Sequence, residues 1–194
     1  MYTSYAEVFA ASPGHREYNE RLAAFLPTLL DRVGVPAQDV LDVACGVGDL
    51  AIGLARRGYT LTGVDLAPAM IDIARQRAAA ADVAVNFEVA DMRRLPYVAA
   101  FDLLLCFGDS LNYMLTAADF RKALTAMRRA LRPGGVLAGY FFIADTPKGP
   151  PFGVSEARLV ELLGGHFTLE SREPASDSLP VFAGREHWMV WRRR

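Results

Sequence analysis

Four acidic side chains stand where ligand chemistry would need them. Asp42 lies four residues ahead of Gly46 in the run Leu41-Asp42-Val43-Ala44-Cys45-Gly46-Val47-Gly48-Asp49-Leu50-Ala51. Asp65 follows Gly48 by 17 residues, Asp91 closes a third apolar run and Asp109 follows a fourth. Gly46 and Gly48 let the backbone turn sharply and let a bulky ligand come close, because no Cβ is in the way. A helix starting after Gly48 presents unpaired N–H groups there. A carboxylate ahead of this turn suits a ligand with positive charge or donor groups, and a phosphate would not want it. A carboxylate at Asp65 can accept both hydroxyls of a ribose, and one at Asp91 can accept from the exocyclic amine of adenine. Plainer uses stand beside these. Asp65 can cap the helix that starts near Ala67, and Asp91 can cap the turn Met92-Arg93-Arg94. Gly46-x-Gly48-x-x-Ala51 also fits the dinucleotide fingerprint, and a bare tight turn before a helix is a third reading.

These residues need a scaffold, and the apolar pattern predicts one. Leu22, Phe25, Leu26, Leu29 and Leu30 recur at helical spacing over residues 15–33, after a turn signal at Pro13-Gly14 and before a stop at Gly34-Val35-Pro36. Strands are predicted at 39–44, 59–65, 83–90, 101–106 and 136–142, with helices after Gly48 and over 68–80 and 116–131. Pro133-Gly134-Gly135 reads as the turn before the fifth strand. A Pro/Gly-rich loop over 145–153, a helix over 155–163 and two strands over 167–173 and 186–192 complete the chain. Alternating strands and helices give an α/β fold with a parallel sheet covered on both faces. The nearly unbroken apolar runs of the fourth and fifth strands suit its centre. In such a sheet ligands sit outside the carboxyl ends of the strands, where Gly46, Gly48, Asp65, Asp91, Met92, Cys106, Phe107, Gly108 and Asp109 fall. Asp102, at the opposite end of its strand, reads as structural.

Composition narrows the function classes. The 194 residues are 52% hydrophobic and 22% charged, with a formal net charge of −1, so no basic field is offered to nucleic acid. The terminal Arg192-Arg193-Arg194 reads as a solvated end. Cys45 and Cys106 make no disulfide framework and read as buried thiols rather than nucleophiles. The histidines and cysteines lack metal-ligand spacing. Neither a signal peptide nor a membrane-spanning run is visible, so a cytoplasmic location is expected.

Taken together, the strand ends resemble the class I S-adenosylmethionine (SAM) methyltransferases. Leu41–Ala51 matches their first motif, Gly63-Val64-Asp65-Leu66-Ala67-Pro68 the second-strand acid, Ala90-Asp91-Met92 the adenine-contacting acid, and Leu131-Arg132-Pro133-Gly134-Gly135 the turn before the fifth strand. Ala44 departs from the fuller motif, which often has Gly there. The resemblance implies a single-domain Rossmann-like doubly wound sheet of order 3-2-1-4-5-7-6, with strand 7 antiparallel. It implies a helical cap over residues 1–35, a SAM-binding domain over 36–194, and a cofactor site made by Asp42, Ala44, Gly46, Gly48, Asp65, Leu66, Asp91, Met92, Cys106, Phe107 and Gly108. It disfavours a hydride-transfer enzyme, which usually adds a substrate domain to its NAD-binding half. A lid built from the N-terminal aromatics is a further implication, with plain packing as the other reading.

The acceptor side is less defined. Asp109 is placed to act as a base, and Tyr113 is a second candidate catalytic residue. Tyr5, Phe9, Asn112, Tyr113 and Phe152 are candidate substrate contacts beside Phe107, giving an aromatic pocket for a compact apolar molecule. The stretch 108–113 looks like that of many bacterial small-molecule methyltransferases. Residues 149–155, Gly-Pro-Pro-Phe-Gly-Val-Ser, look like the loop of thiopurine, thiol and halide methyltransferases. A small acceptor with a soft nucleophile is therefore expected, with oxygen or nitrogen acceptors, a non-catalytic SAM-binding role and an NAD-binding protein as alternatives. No nucleic-acid or membrane partner is expected, and the oligomeric state is not legible.

Overall fold

Five apolar runs and two alternating ones become strands, and the helical periodicities become helices, in the expected order. The computed structural model describes residues 6–7, 10–107, 110–114, 116–142, 156–174 and 186–194. The elements are α1 (Pro13–Arg32), β1 (Asp39–Val43), α2 (Asp49–Ala55), β2 (Thr60–Asp65), α3 (Pro68–Ala80), β3 (Val85–Val89), β4 (Phe101–Cys106), α4 (Ala117–Ala130), β5 (Leu131–Phe142), α5 (Glu156–Gly164), β6 (Phe167–Pro174) and β7 (Glu186–Arg193). One seven-stranded sheet has the order β3-β2-β1-β4-β5-β7-β6. β7 runs antiparallel to both β5 and β6. The chain divides into two units, Met1–Met92 with Phe101–Leu103, and Arg93–Ala100 with Leu104–Arg194.

In the first unit β1, β2 and β3 pair in parallel, with Asp42 opposite Gly63 and Gly63 opposite Phe87. Leu22, Leu26 and Leu29 of α1, Leu41 of β1, Leu54 of α2 and Ile71 of α3 are fully buried. α1 begins two residues before the expected His15. Ser12 is its N-cap and Pro13 stands in its first turn, where a missing N–H costs nothing and the fixed φ suits a helix. The Pro13-Gly14 turn signal was therefore a helix start. Asp102 accepts the backbone N–H groups of Gln38 and Asp39, each at 3.0 Å, which fixes the entry into β1 and gives this acid its structural role.

In the second unit Thr116 caps α4 by accepting the N–H of Asp119 at 3.1 Å, and Phe120, Leu124 and Met127 bury its apolar face. β5 starts at Leu131, not Val136. The Pro133-Gly134-Gly135 turn is a kink within extended chain, with Gly134 at φ +77°, and pairing with β7 begins at Val136. The carbonyls freed by that kink are taken by the terminal arginines. Arg192 donates to the Gly134 carbonyl at 3.1 Å, Arg193 to that of Leu131, and Arg194 to the Thr168 hydroxyl at 3.0 Å. The basic end of the chain is thus bound to the sheet, a correction to its reading as a solvated terminus. Among the described residues no helix is long and apolar enough to cross a membrane, and no group of His, Cys, Asp and Glu gathers as a metal ion would require.

Candidate cofactor site

The site is built in the first unit, at the carboxyl ends of β1, β2 and β3. Between β1 and α2 the backbone turns through three left-handed residues, Ala44 (φ 59°), Gly46 (φ 55°) and Gly48 (φ 79°). The Cys45 N–H donates to the Val64 carbonyl and the Gly48 N–H to the Cys45 carbonyl, both at 3.0 Å, so the loop is held to β2 and closed on itself. Glycine takes this conformation freely, whereas alanine pays about 1–2 kcal/mol. Ala44 is small enough to be accommodated, but at that cost. Ala44→Gly is expected to stabilise the fold by up to about 1 kcal/mol and raise the melting temperature by about 2–4 °C, read by thermal unfolding followed by circular dichroism.

Asp65, the last residue of β2, braces two loops at once. One carboxylate oxygen accepts the Gly46 N–H at 3.0 Å and the other accepts the Ala67 N–H at 2.9 Å. α3 is capped at Ala67 without a side-chain bond, so the expected helix cap is replaced by a brace between the glycine loop and the entry to α3. Each carboxylate oxygen keeps acceptor capacity beyond these bonds. The Ala90 N–H donates to the Asp65 carbonyl at 2.9 Å, which ties the end of β3 to the end of β2 just before Asp91 and Met92, both half-buried. Leu66, directly after Asp65, is 64% exposed and offers an uncovered apolar side chain.

Asp42 is the anomaly of the site. Its side chain is buried, and its Oδ2 has no hydrogen-bond partner among the described residues. Burial, and then the nearby Asp65 charge, push its carboxyl up to about 8. An ordinary carboxylate would be ionised four units lower, so this group holds its proton at neutral pH. Burial, with Asp42 and Asp65 adding to it, also pushes the Cys45 thiol well up. That keeps it a thiol, as an inert side chain should be.

The remaining predicted residues belong to the second unit or lie outside the described chain. Cys106 ends β4, fully buried, and Phe107 follows it, edge-on to Trp188 with ring centroids 5.4 Å apart. Tyr113 ends a short 3-10 turn, Ser110–Tyr113, with its side chain 63% exposed. Tyr5, Phe9, Gly108, Asp109 and Phe152, the side chain of Asn112, and the loop at 149–155 are outside the described residues. Sequence reasoning missed Arg77, whose partners lie 28 and 67 residues away (Asp49 and Ala10); nothing in a helix rich in Ala marks it.

A family profile described as a methyltransferase domain matches residues 40–135, from β1 to the kink of β5. The chain is similar to a demethylmenaquinone methyltransferase of Thermus thermophilus, 40% identical over 133 residues, which are 65% of this chain and 58% of that protein. It spans about half the length of the curated relatives it matches. A crystal structure of an S-adenosylmethionine-dependent methyltransferase from Clostridium acetobutylicum superposes with a TM-score of 0.78, covering 99% of this chain and 98% of that one at 16% identity, a likeness of fold. A structure described under the conversion of a disulfide bond into a thioacetal group during echinomycin biosynthesis gives a TM-score of 0.69 at 28% identity, covering 86% of this chain and 80% of that one. With the strand order, the glycine loop and the profile match in agreement, residues 40–135 form a methyltransferase domain with the class I, Rossmann-like fold.

Proposed function

We propose that this chain binds S-adenosylmethionine at the ends of β1, β2 and β3 and transfers its methyl group to a small-molecule acceptor. The observation that carries the reading is the Asp42 oxygen, buried beside the glycine loop without a partner among the described residues. A buried polar atom left without a partner is costly, and a ligand ammonium group would satisfy it. The other residues present fit the same ligand. Asp65 has acceptor capacity for two ribose hydroxyls, Leu66 supplies an apolar surface for a base, and Asp91 an acceptor for an exocyclic amine. Gly46, in the left-handed region at φ 55°, puts no side chain on the turn that the ligand would approach. Bound there, the cofactor supplies a methyl group on a sulfonium, activated for direct displacement. The chain's part is to fix the donor's orientation and exclude water from the line of attack.

For the acceptor we infer a compact molecule with a soft nucleophile. The Gly-Pro-Pro-Phe stretch supports it, as does the 28% identical structure, which concerns the conversion of a disulfide bond into a thioacetal group. The demethylmenaquinone methyltransferase relative favours a second reading, a quinone-type acceptor. The test has two stages. Calorimetry should show one-to-one binding of SAM and of its demethylated product, S-adenosylhomocysteine (SAH), and none of NAD; tight NAD binding with no SAM signal would sink the assignment. A turnover panel of thiols, selenols, halides, amines, phenols, carboxylates and demethylated quinols, read by SAH release, then chooses the acceptor. Activity on amines or carboxylates alone refutes the soft-acceptor reading and leaves methyl transfer standing.

A further inference from the structure

The chain has a formal net charge of −1, yet one groove of the second unit is strongly basic. α4 carries Arg121, Lys122, Arg128 and Arg129 against a single carboxylate, Asp119, and the segment beside it, residues 93–100, brings Arg93 and Arg94 and no acid. Two backbone bonds hold that segment to the end of the helix. The Ala99 N–H donates to the Arg129 carbonyl at 2.8 Å and the Ala100 N–H to the Ala130 carbonyl at 2.9 Å. Along this seam lies a cavity of about 270 Å³ lined by Arg93, Lys122, Thr125, Ala126 and Arg129. Lys122, Thr125, Ala126 and Arg129 are spaced i, i+3, i+4 and i+7, so they share one face of α4. Arg93 comes from the short turn Met92–Arg94.

The charge in this cavity is not balanced from within. No carboxylate stands among the described residues that line it. Asp119 reaches it from the side, and there Lys122 Nζ at 3.2 Å and Arg93 Nη1 at 3.5 Å share one and the same Oδ1. Its other oxygen accepts the Thr116 hydroxyl at 3.2 Å. The Lys122 ammonium first, and then the Thr116 hydroxyl, hold the Asp119 carboxyl below its ordinary range, so it is ionised and its single charge is already engaged. Arg129 pairs with no carboxylate among the described residues. It donates through Nη2 to the Leu95 carbonyl, which fixes its guanidinium at the wall of the groove and leaves its other N–H groups for a ligand.

We propose that this groove binds a small ligand through a diphosphate group, held by Arg93, Lys122 and Arg129. A guanidinium fork meets two phosphate oxygens at once, and a lysine adds a compact charge. Lys122 and Arg129 leave α4 roughly 10 Å apart along its axis. A diphosphate has anionic oxygens at both ends, so it meets both side chains with less bending than a single phosphate does. Between them stand the small side chains of Thr125 and Ala126, which leave the groove open. The site lies outside the cofactor reading above and does not depend on it.

The test uses the full chain with pyrophosphate at low ionic strength, where screening is weakest. Calorimetry should show a saturable one-to-one signal, and the amide resonances of residues 93–95 and 122–129 should shift with it. Inorganic phosphate should bind more weakly, and acetate should not compete. Lys122→Gln, at a side chain 65% exposed, should lower pyrophosphate affinity about threefold, and Lys122→Gln with Arg129→Gln at least about tenfold. Arg21→Gln, at an exposed position of α1, should bind as the wild type does. Shifts that do not saturate or that spread over other surfaces overturn the site, and so does wild-type affinity in the folded double variant. An equal loss in Arg21→Gln overturns it too, since net charge alone would then be read. Inorganic phosphate binding as tightly as pyrophosphate overturns the diphosphate assignment. If Arg129→Gln does not fold, Lys122→Gln decides alone, and wild-type affinity there overturns the site.

Discussion

Asp42→Asn is expected to melt above the wild type at pH 9 and close to it near pH 4. The carboxyl of Asp42 is raised from its ordinary value to about 8 by burial and by Asp65. In the unfolded chain it ionises near 4. Between those two values the folded state keeps a proton that the unfolded state has released. Stability from this group is therefore complete below about pH 4, falls as pH rises towards 8, and is flat beyond. The fall approaches about 5 kcal/mol, and the amide of the variant, which has no proton to lose in this range, escapes it. The difference in melting temperature between variant and wild type, measured from pH 4 to 9, should climb by several degrees and level off near 8. A difference that does not change with pH would mean Asp42 is an ordinary carboxylate. The same substitution should weaken SAH binding at pH 8, where a carboxylate beside an ammonium group is worth most. Stability and ligand affinity then move in opposite directions, as they do where a site is kept at a cost to the fold.

Asp65→Ala is expected to lower SAH affinity at least tenfold, and about a hundredfold if both ribose hydroxyls lose their acceptor. Hydrogen bonds to a charged group are worth about 1.5–3 kcal/mol each, and about 1.4 kcal/mol is tenfold in affinity. The backbone adds to the effect, because the N–H groups of Gly46 and Ala67 both lose the carboxylate that holds them. Asp65→Asn separates the two roles, since its single carbonyl oxygen can brace one loop only. Calorimetry with SAH reads the affinity and circular dichroism checks the fold. Unchanged affinity in a folded Asp65→Ala protein would leave Asp65 as a brace and no more.

The sequence made the frame legible because the frame is periodic. Apolar runs at β4 and β5, the helical spacing of α1 and the acid at the end of β2 are local patterns, and each survives folding unchanged. Local reading failed where a second segment decides the outcome. Pro133-Gly134-Gly135 carries every sign of a turn, yet it lies within β5, where two arginines 58 and 62 residues further on donate to the carbonyls of Gly134 and Leu131. Asp65 was legible as an acid at the right strand end, but its partner N–H on Gly46 lies 19 residues earlier in the chain, on the far side of α2. Asp42 was legible as a carboxylate and not as a protonated one, because protonation follows from burial, which no spacing encodes. Arg77 left no trace at all, since nothing in its own helix distinguishes the shielded partner of Asp49 from a solvated arginine.

The ring of Phe87 touches two glycines at once. A Cβ built on Gly48 would come within 2.6 Å of its Cζ, and one on Gly63 within 2.6 Å of its Cδ1 and Cε1. Positions 48, 63 and 87 therefore behave as a single letter of the protein's alphabet, one spelled with three residues from the glycine loop, β2 and β3. A variant library that randomises either glycine alone spends itself on clashes with the Phe87 ring. Randomised together, positions 63 and 87 can trade ring volume for a methyl group, whereas Gly48, left-handed at φ +79° and facing the Ala74 Cβ at 3.0 Å as well, stays glycine.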